Sequence, residues 1–301
     1  MERVSTWNNI GKNVEECRSM EAVLSASGLD YTVIKKPVFV PEGNGLVTIP
    51  NRFATVREED GHIYDVVSNR YEIIQNREAF DFVNYMTDEI TFEKAGETES
   101  GIVYIIAKME EVDILGDAFT PHVIFRNGFA GTVRINAAIC PLRIVCQNQF
   151  NFSFKNTENT VAIRHMSNAR ERLEEAKTSL KMCADYMVRL NIEAEKYAGI
   201  KLDRFKLNAV LNELFPVTDA NISEHKRTLL KEQKMRFLKA YDSDDNSNFK
   251  GTGWGLVNAY TDFVTHTEPR SKKPTRYENQ FIRSINTNMN QILKVVDGVA
   301  V

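Results

Sequence analysis

The chain has 301 residues, of which 43% are hydrophobic, enough for a sizeable core and too many for a disordered chain. With 38 basic and 41 acidic side chains the formal net charge is −3, which excludes the strongly basic balance of a protein that coats nucleic acid indiscriminately but leaves room for a local basic face. The four cysteines (Cys17, Cys140, Cys146, Cys183) are scattered and lack the close pairing of a zinc site, so they read as free thiols of a reducing compartment. The first residues lack a secretory apolar core, and no stretch approaches the roughly 20 apolar residues that span a bilayer; the expectation is a soluble protein of the cytoplasm.

In chain order, residues 14–27 predict a helix closed by Gly28. Strands are predicted at 31–40, 52–58, 62–68, 90–96, 101–109, 122–128, 131–138 and 142–148, where β-branched and aromatic residues dominate, with one intervening helix at 76–87. Glu59-Asp60-Gly61 fits a tight turn between the second and third of these strands. The expected architecture is α+β: a mostly antiparallel sheet with flanking helices in the N-terminal half and a helical C-terminal half.

A boundary is placed at residue 160 because charge and period both change there. Residues 1–159 hold 15 basic and 23 acidic side chains, a net −8, whereas residues 160–301 hold 23 and 18, a net +5. The predicted domains are therefore 1–159 and 160–301. The second opens with a heptad stripe of Met166, Ala169, Leu173, Ala176, Leu180, Cys183, Met187, Leu190 and Ala194, with Asn168 and Glu171 spaced as a capping box. Packing against another helix of the same chain is the first reading of this stripe, and a homo-oligomer through residues 166–194 is the alternative. Further helices are predicted at 203–214, 223–241, 254–266 and 276–296.

Few residues offer chemistry. Asp242, Asp244 and Asn246 alternate as calcium ligands would, but Ser247 and Gly253 stand where an EF-hand needs its turn glycine and its bidentate glutamate. GTGWG (251–255) opens a helix and could face an anion, yet it follows no strand and lacks the dinucleotide fingerprint, so a turn that lets Trp254 enter the core is preferred. The histidines form no metal pattern, and Cys146 beside Asn148 would be a nucleophile only if a histidine approached it in space. No catalytic residue, metal site or cofactor is assigned. Basic residues gather around Arg164, Arg170 and Arg172, along 226–239, and at Arg270, Lys272, Lys273 and Arg276. Such charges are ordinarily the wet face of a helix, but together with Arg143 they could track a phosphate backbone.

Three segments, CPLRIVCQNQF (140–150), IRHMSNARERLEEA (163–176) and GTGWGLVNAYTDFVTH (251–266), resemble the phage and plasmid-like proteins grouped as domain of unknown function 932 (DUF932). Trp7 and Gly11 resemble that family's Trp-His-x-x-Gly opening. The residues carried by the resemblance are Trp7, Gly11, Arg143, Cys146, Asn148, His165, Arg170, Trp254, Asn258 and His266. This chain departs from the pattern at Asn8, where the family often has histidine, and at Phe129-Ala130-Gly131, where it often has His-Asp-Gly. Both departures remove titratable groups and so argue against acid–base or metal chemistry.

The resemblance implies a mobile-element origin and a bacterial cytoplasm. The expected function is that of a non-catalytic accessory protein that binds single-stranded or duplex nucleic acid in recombination or replication. The alternative is an oligomeric factor that binds a host or defence protein; a cysteine-dependent or nuclease-like enzyme comes third.

Overall fold

The computed structural model describes residues 10–86, 89–143, 148–149, 160–166, 179–266 and 289–300. It is an α+β fold, with antiparallel sheets in the N-terminal half and helices in the C-terminal half.

The larger sheet has eight strands: β1 (Lys12–Asn13), β5 (Thr91–Glu97), β6 (Ile102–Lys108), β7 (Val112–Ile114), β8 (Asp117–Gly128), β9 (Ile135–Arg143), β10 (Asn148–Gln149) and β11 (Thr160–Ile163). Its main path runs β1-β5-β6-β8-β9-β10; β7 pairs with β8 and β11 pairs with β9. The smaller sheet is β2 (Val33–Glu42), β3 (Gly45–Arg57) and β4 (Ile63–Ser68), in that order. Arg57 holds the two sheets together: its guanidinium lies 2.6 Å from Glu97 on β5 and 4.1 Å from the centre of the Tyr31 ring.

Two short helices, α1 (Met20–Ser27) and α2 (Asn76–Phe80, continued by a 3-10 turn Asp81–Met86), cover one face of the sheet near β5, β6 and β8. The C-terminal helices are α3 (Ser179–Gly199), α4 (Arg204–Leu214), α5 (Glu224–Tyr241), α6 (Gly253–His266) and α7 (Asn290–Ala300). Asp203 and Ser223 cap α4 and α5 by accepting from the backbone N–H three residues on. In α3 the stripe Cys183, Met187, Leu190 and Ala194 is buried, and the helix packs on β7, β8, β9 and α6. The heptad pattern is thus spent inside the chain over its described part; its first half, with Asn168 and Glu171, lies outside the described residues. One apolar cluster includes Phe125 and Ala137 of the sheet, Ile163 of β11, Leu190 of α3 and Trp254 of α6. Among the described residues no helix is long and apolar enough to cross a membrane.

Several boundaries differ from expectation. The helix predicted over 14–27 begins only at Met20, because Ser19 caps it and Lys12–Asn13 pair with β5 instead. The strand predicted at 52–58 starts at Gly45, and its first residues form a long two-stranded ribbon with β2. The two strands predicted at 131–138 and 142–148 are one continuous β9, ending at Arg143. The short β7 and β11 were not foreseen. The last helix runs 290–300 in the described part, against a prediction of 276–296.

GTGWG acts by close packing. A Cβ on Gly255 would lie 2.2 Å from the Phe249 carbonyl oxygen, so the glycine is what allows the turn and α6 to touch, with Trp254 fully buried beside it. The α6 start is satisfied internally: Thr252 Oγ1 accepts from Gly255 N at 3.1 Å and Gly253 N donates to Ile200 O at 2.9 Å. Asn246, one of the three residues of the calcium-like pattern, is also turned inward and donates to Tyr241 O and Gly255 O. Gly255→Ala is expected to destabilise the protein by about 1–3 kcal/mol in urea titration. Gly298→Ala, in α7 where an added methyl meets nothing within 4 Å, is expected to stabilise it by up to about 1 kcal/mol.

Candidate functional site

The ladder between β9 and β11 builds the site. Its last pair is Ile135 with Ile163, and the next residue on each chain, Arg134 and Arg164, lies just beyond the end of the ladder. Both arginines are exposed and neither makes an ion pair among the described residues. They line a cavity of about 390 Å³ together with Tyr71, Gly131, Thr132, Val133, His165 and Met166, a lining that includes no carboxylate.

The floor of this cavity is rigid. The His165 ring stacks on Tyr71, with centroids 5.1 Å apart and 16° between planes, and the Tyr71 hydroxyl donates to Gly128 O at the end of β8. His165 Nδ1 faces the Glu72 carbonyl at 3.2 Å, and Glu72 N donates back to His165 O at 3.2 Å. A carbonyl only accepts, so Nδ1 carries the proton and Nε2 is the lone-pair nitrogen; Nε2 has no hydrogen-bond partner among the described residues. Burial pushes the His165 pKa down to about 4, outweighing the Glu72 carbonyl, so the ring is neutral at pH 7. The effect is to pin residues 164–166 against 71–72, which fixes where Arg164 leaves the backbone. On the opposite wall the Gly131 N–H donates to Asp65 at 2.9 Å and Val133 N to Ala130 O at 3.0 Å, which fixes the turn that presents Arg134.

Of the residues singled out from sequence, Arg164 and His165 lie at this cavity and Gly131 borders it. Trp254 and Asn258 are buried in α6, where Asn258 Nδ2 donates to Trp254 O at 3.1 Å, and His266 ends the same helix. The short strand β10, which carries Asn148, packs against α6, so two of the three shared motifs are neighbours. Gly11 sits in a left-handed conformation where a Cβ would lie 2.6 Å from Ala95 O and 2.8 Å from the Tyr104 hydroxyl. Trp7, Cys146, Arg170, Arg172, Arg270, Lys272, Lys273 and Arg276 lie outside the described residues, as do the side chains of Arg143 and Asn148. Cys140 and Cys183 are buried, which keeps their thiols protonated at neutral pH: burial raises Cys183 to about 12 and Cys140 further. Arg134 and Tyr71 were missed, because neither is marked by a motif and only the pairing of β9 with β11 brings Arg134 to the same cavity as Arg164.

Comparison with known families gives one match: the model described as Domain of unknown function (DUF932) covers residues 63–291, most of the chain and both walls of the cavity. The chain belongs to the DUF932 family. No curated protein and no solved structure matches it. In this DUF932 protein Phe129 is buried against Tyr31 and Tyr64, and Thr55 donates to its carbonyl at 2.8 Å, so this position belongs to the core.

The neutral state of His165 has a measurable consequence. The unfolded chain takes up a proton near the ordinary histidine pKa of about 6.5, while the folded chain does so only near 4, so this contribution to stability is complete above pH 6.5 and is lost as pH falls from 6.5 to 4. It amounts to about 2 kcal/mol by pH 5. In chemical denaturation between pH 7.5 and 5, a His165→Asn variant is expected to lose that much less stability than the parent.

Proposed function

We propose that the protein is a non-catalytic accessory factor of a phage or plasmid that binds nucleic acid in the bacterial cytoplasm, in recombination or replication, and that Arg134 and Arg164 seat a backbone phosphate. The observation that carries this reading is the pair of arginines that line one cavity with no carboxylate in its described lining. Two like charges that line one small cavity repel each other, and an anion between them turns that repulsion into two charge-assisted contacts. A planar guanidinium can donate two N–H bonds to two oxygens of a tetrahedral phosphate, which a point charge such as an ammonium does not do.

A second source of positive potential supports the reading. Helix α5 exposes Lys226, Lys231, Arg236 and Lys239, none of which makes an ion pair among the described residues, whereas Arg227 on the same helix is held by Glu224. These cations add to the field that draws a polyanion, without offering a shaped seat. The apolar residues at 129 and 130 also suit a binding role, since the ionisable pair that the family often carries beside Gly131 is missing. The mobile-element setting rests on the family resemblance alone.

The test is fluorescence anisotropy with labelled single-stranded and duplex DNA at 50 and 200 mM salt. Binding that weakens with salt is expected, and an Arg134→Ala/Arg164→Ala double variant should bind at least tenfold more weakly with the salt slope reduced by about 1–2. Binding absent at both salt concentrations, or equal affinity in the double variant, would remove the proposal.

A further inference from the structure

A second cavity, of about 720 Å³, opens between α3 and the β7–β8 hairpin, away from the arginine pair. Its walls are apolar: Met109, Val112 and Pro121 on the sheet side, Met187, Val188 and Ile192 on the helix side. Val188 is 64% exposed and Ile192 48%, which is a high cost in water for two aliphatic side chains that share a helix face four residues apart. They stand beside Cys183 and Met187, which also line the cavity but are buried against the sheet with Leu190 and Ala194. Helix α3 therefore keeps Val188 and Ile192 exposed next to an apolar stripe that is already packed.

The rim settles what kind of molecule fits. Glu89, Glu110 and Asp113 line the cavity, none forms an ion pair among the described residues, and no lysine or arginine is part of the lining. A phosphate-bearing polymer is repelled here. An apolar surface bordered by carboxylates that form no ion pair among the described residues complements an amphipathic helix whose apolar stripe is flanked by lysine or arginine. The two methionines, Met109 and Met187, are unbranched and adapt to the side chains of such a guest.

We propose that this groove docks a cationic amphipathic helix of a partner protein, with the guest's apolar stripe on Val188 and Ile192 and its basic flanks on Glu89, Glu110 and Asp113. This surface is independent of the proposed nucleic-acid site: it shares no lining residue with the Arg134–Arg164 cavity and has the opposite charge.

The probe is a fluorescein-labelled 18-residue peptide of leucine and lysine patterned as an amphipathic helix. Its controls are a scrambled peptide of the same composition and a leucine–glutamate peptide of the same pattern. The full-length protein is expected to bind the patterned cationic peptide at least tenfold more tightly than either control. Val188→Asp/Ile192→Asp should weaken that binding tenfold or more, and Glu89→Gln/Glu110→Gln/Asp113→Asn should weaken it and flatten its salt dependence. Val188 and Ile192 are exposed, so circular dichroism and DNA binding should be unchanged in the first variant, which separates failure of the groove from failure of the fold or of the phosphate seat. Equal binding of the scrambled peptide, or unaltered binding by the aspartate variant, would overturn the proposal. So would light scattering that shows a dimer which the aspartate variant dissolves, because the stripe would then be covered by a second copy of the chain.

Discussion

Four backbone pairs, Ala138–Thr160 through Ile135–Ile163, hold the arrangement of this molecule together. The ladder between β9 and β11 closes the edge of the large sheet and delivers the chain towards α3. It also brings residues 134 and 164 to the same end of the ladder. A slip of one residue would turn every side chain of β11 to the other face, and Ile163, now fully buried, would leave the core. Residues 160–163 pair with β9 of the large sheet, and one apolar cluster of the described residues includes side chains of that sheet and of the C-terminal helices.

The ion pairs separate cations that hold the fold from cations that remain available. In α3, Arg189 pairs with Glu193, and Lys196 reaches Asp297 on α7 at 2.7 Å, a bond that ties the last helix to the first of the C-terminal set. Such partly exposed pairs contribute little energy but fix neighbouring surfaces. Arg134, Arg164 and the wet side of α5 have no comparable partner among the described residues, and Glu89, Glu110 and Asp113 are likewise free of ion pairs. The near-neutral total of −3 conceals this sorting. Among the described residues, charge of each sign without an ion pair is kept at a different place.

Most of the longer strands were legible from clusters of Val, Ile, Phe and Tyr, while the short β7 and β11 and the start of β3 were not, and helix starts were legible where Asp203 and Ser223 cap them. What sequence reading lost, it lost through backbone punctuation whose effect depends on neighbours. Pro141 looks like the end of a strand, yet β9 runs through it. Pro141 is the register partner of Pro121, and each lies where the strand on its far side changes over, between β10 and β11 for Pro141 and between β6 and β7 for Pro121. A missing N–H at such a gap removes no ladder bond. Similarly, Gly45 and Pro50 suggest a loop, but they lie in a ribbon paired only with its neighbour strands, where backbone irregularity is tolerated. At the candidate site, Arg164 and His165 could be singled out from a shared motif, but Arg134 gains its meaning only from a partner thirty residues away in sequence.

His165 illustrates why burial, and not proton transfer, organises the cavity. A general acid or base at neutral pH needs a pKa near 7 and a ring nitrogen within reach of the substrate. In His165, Nδ1 is committed to the Glu72 carbonyl, Nε2 is closed off from solvent, and the pKa near 4 leaves the ring neutral. His122 is similarly committed, with Nδ1 at 2.9 Å from Thr120 O and Nε2 at 2.9 Å from Glu93. What the neutral ring supplies is an anchor that adds no charge. An imidazolium at that position would be a third cation beside two arginines, adding to the repulsion between them. By stacking on Tyr71 inside the protein, His165 holds the backbone of Arg164 in place without adding a charge to the described lining of the cavity.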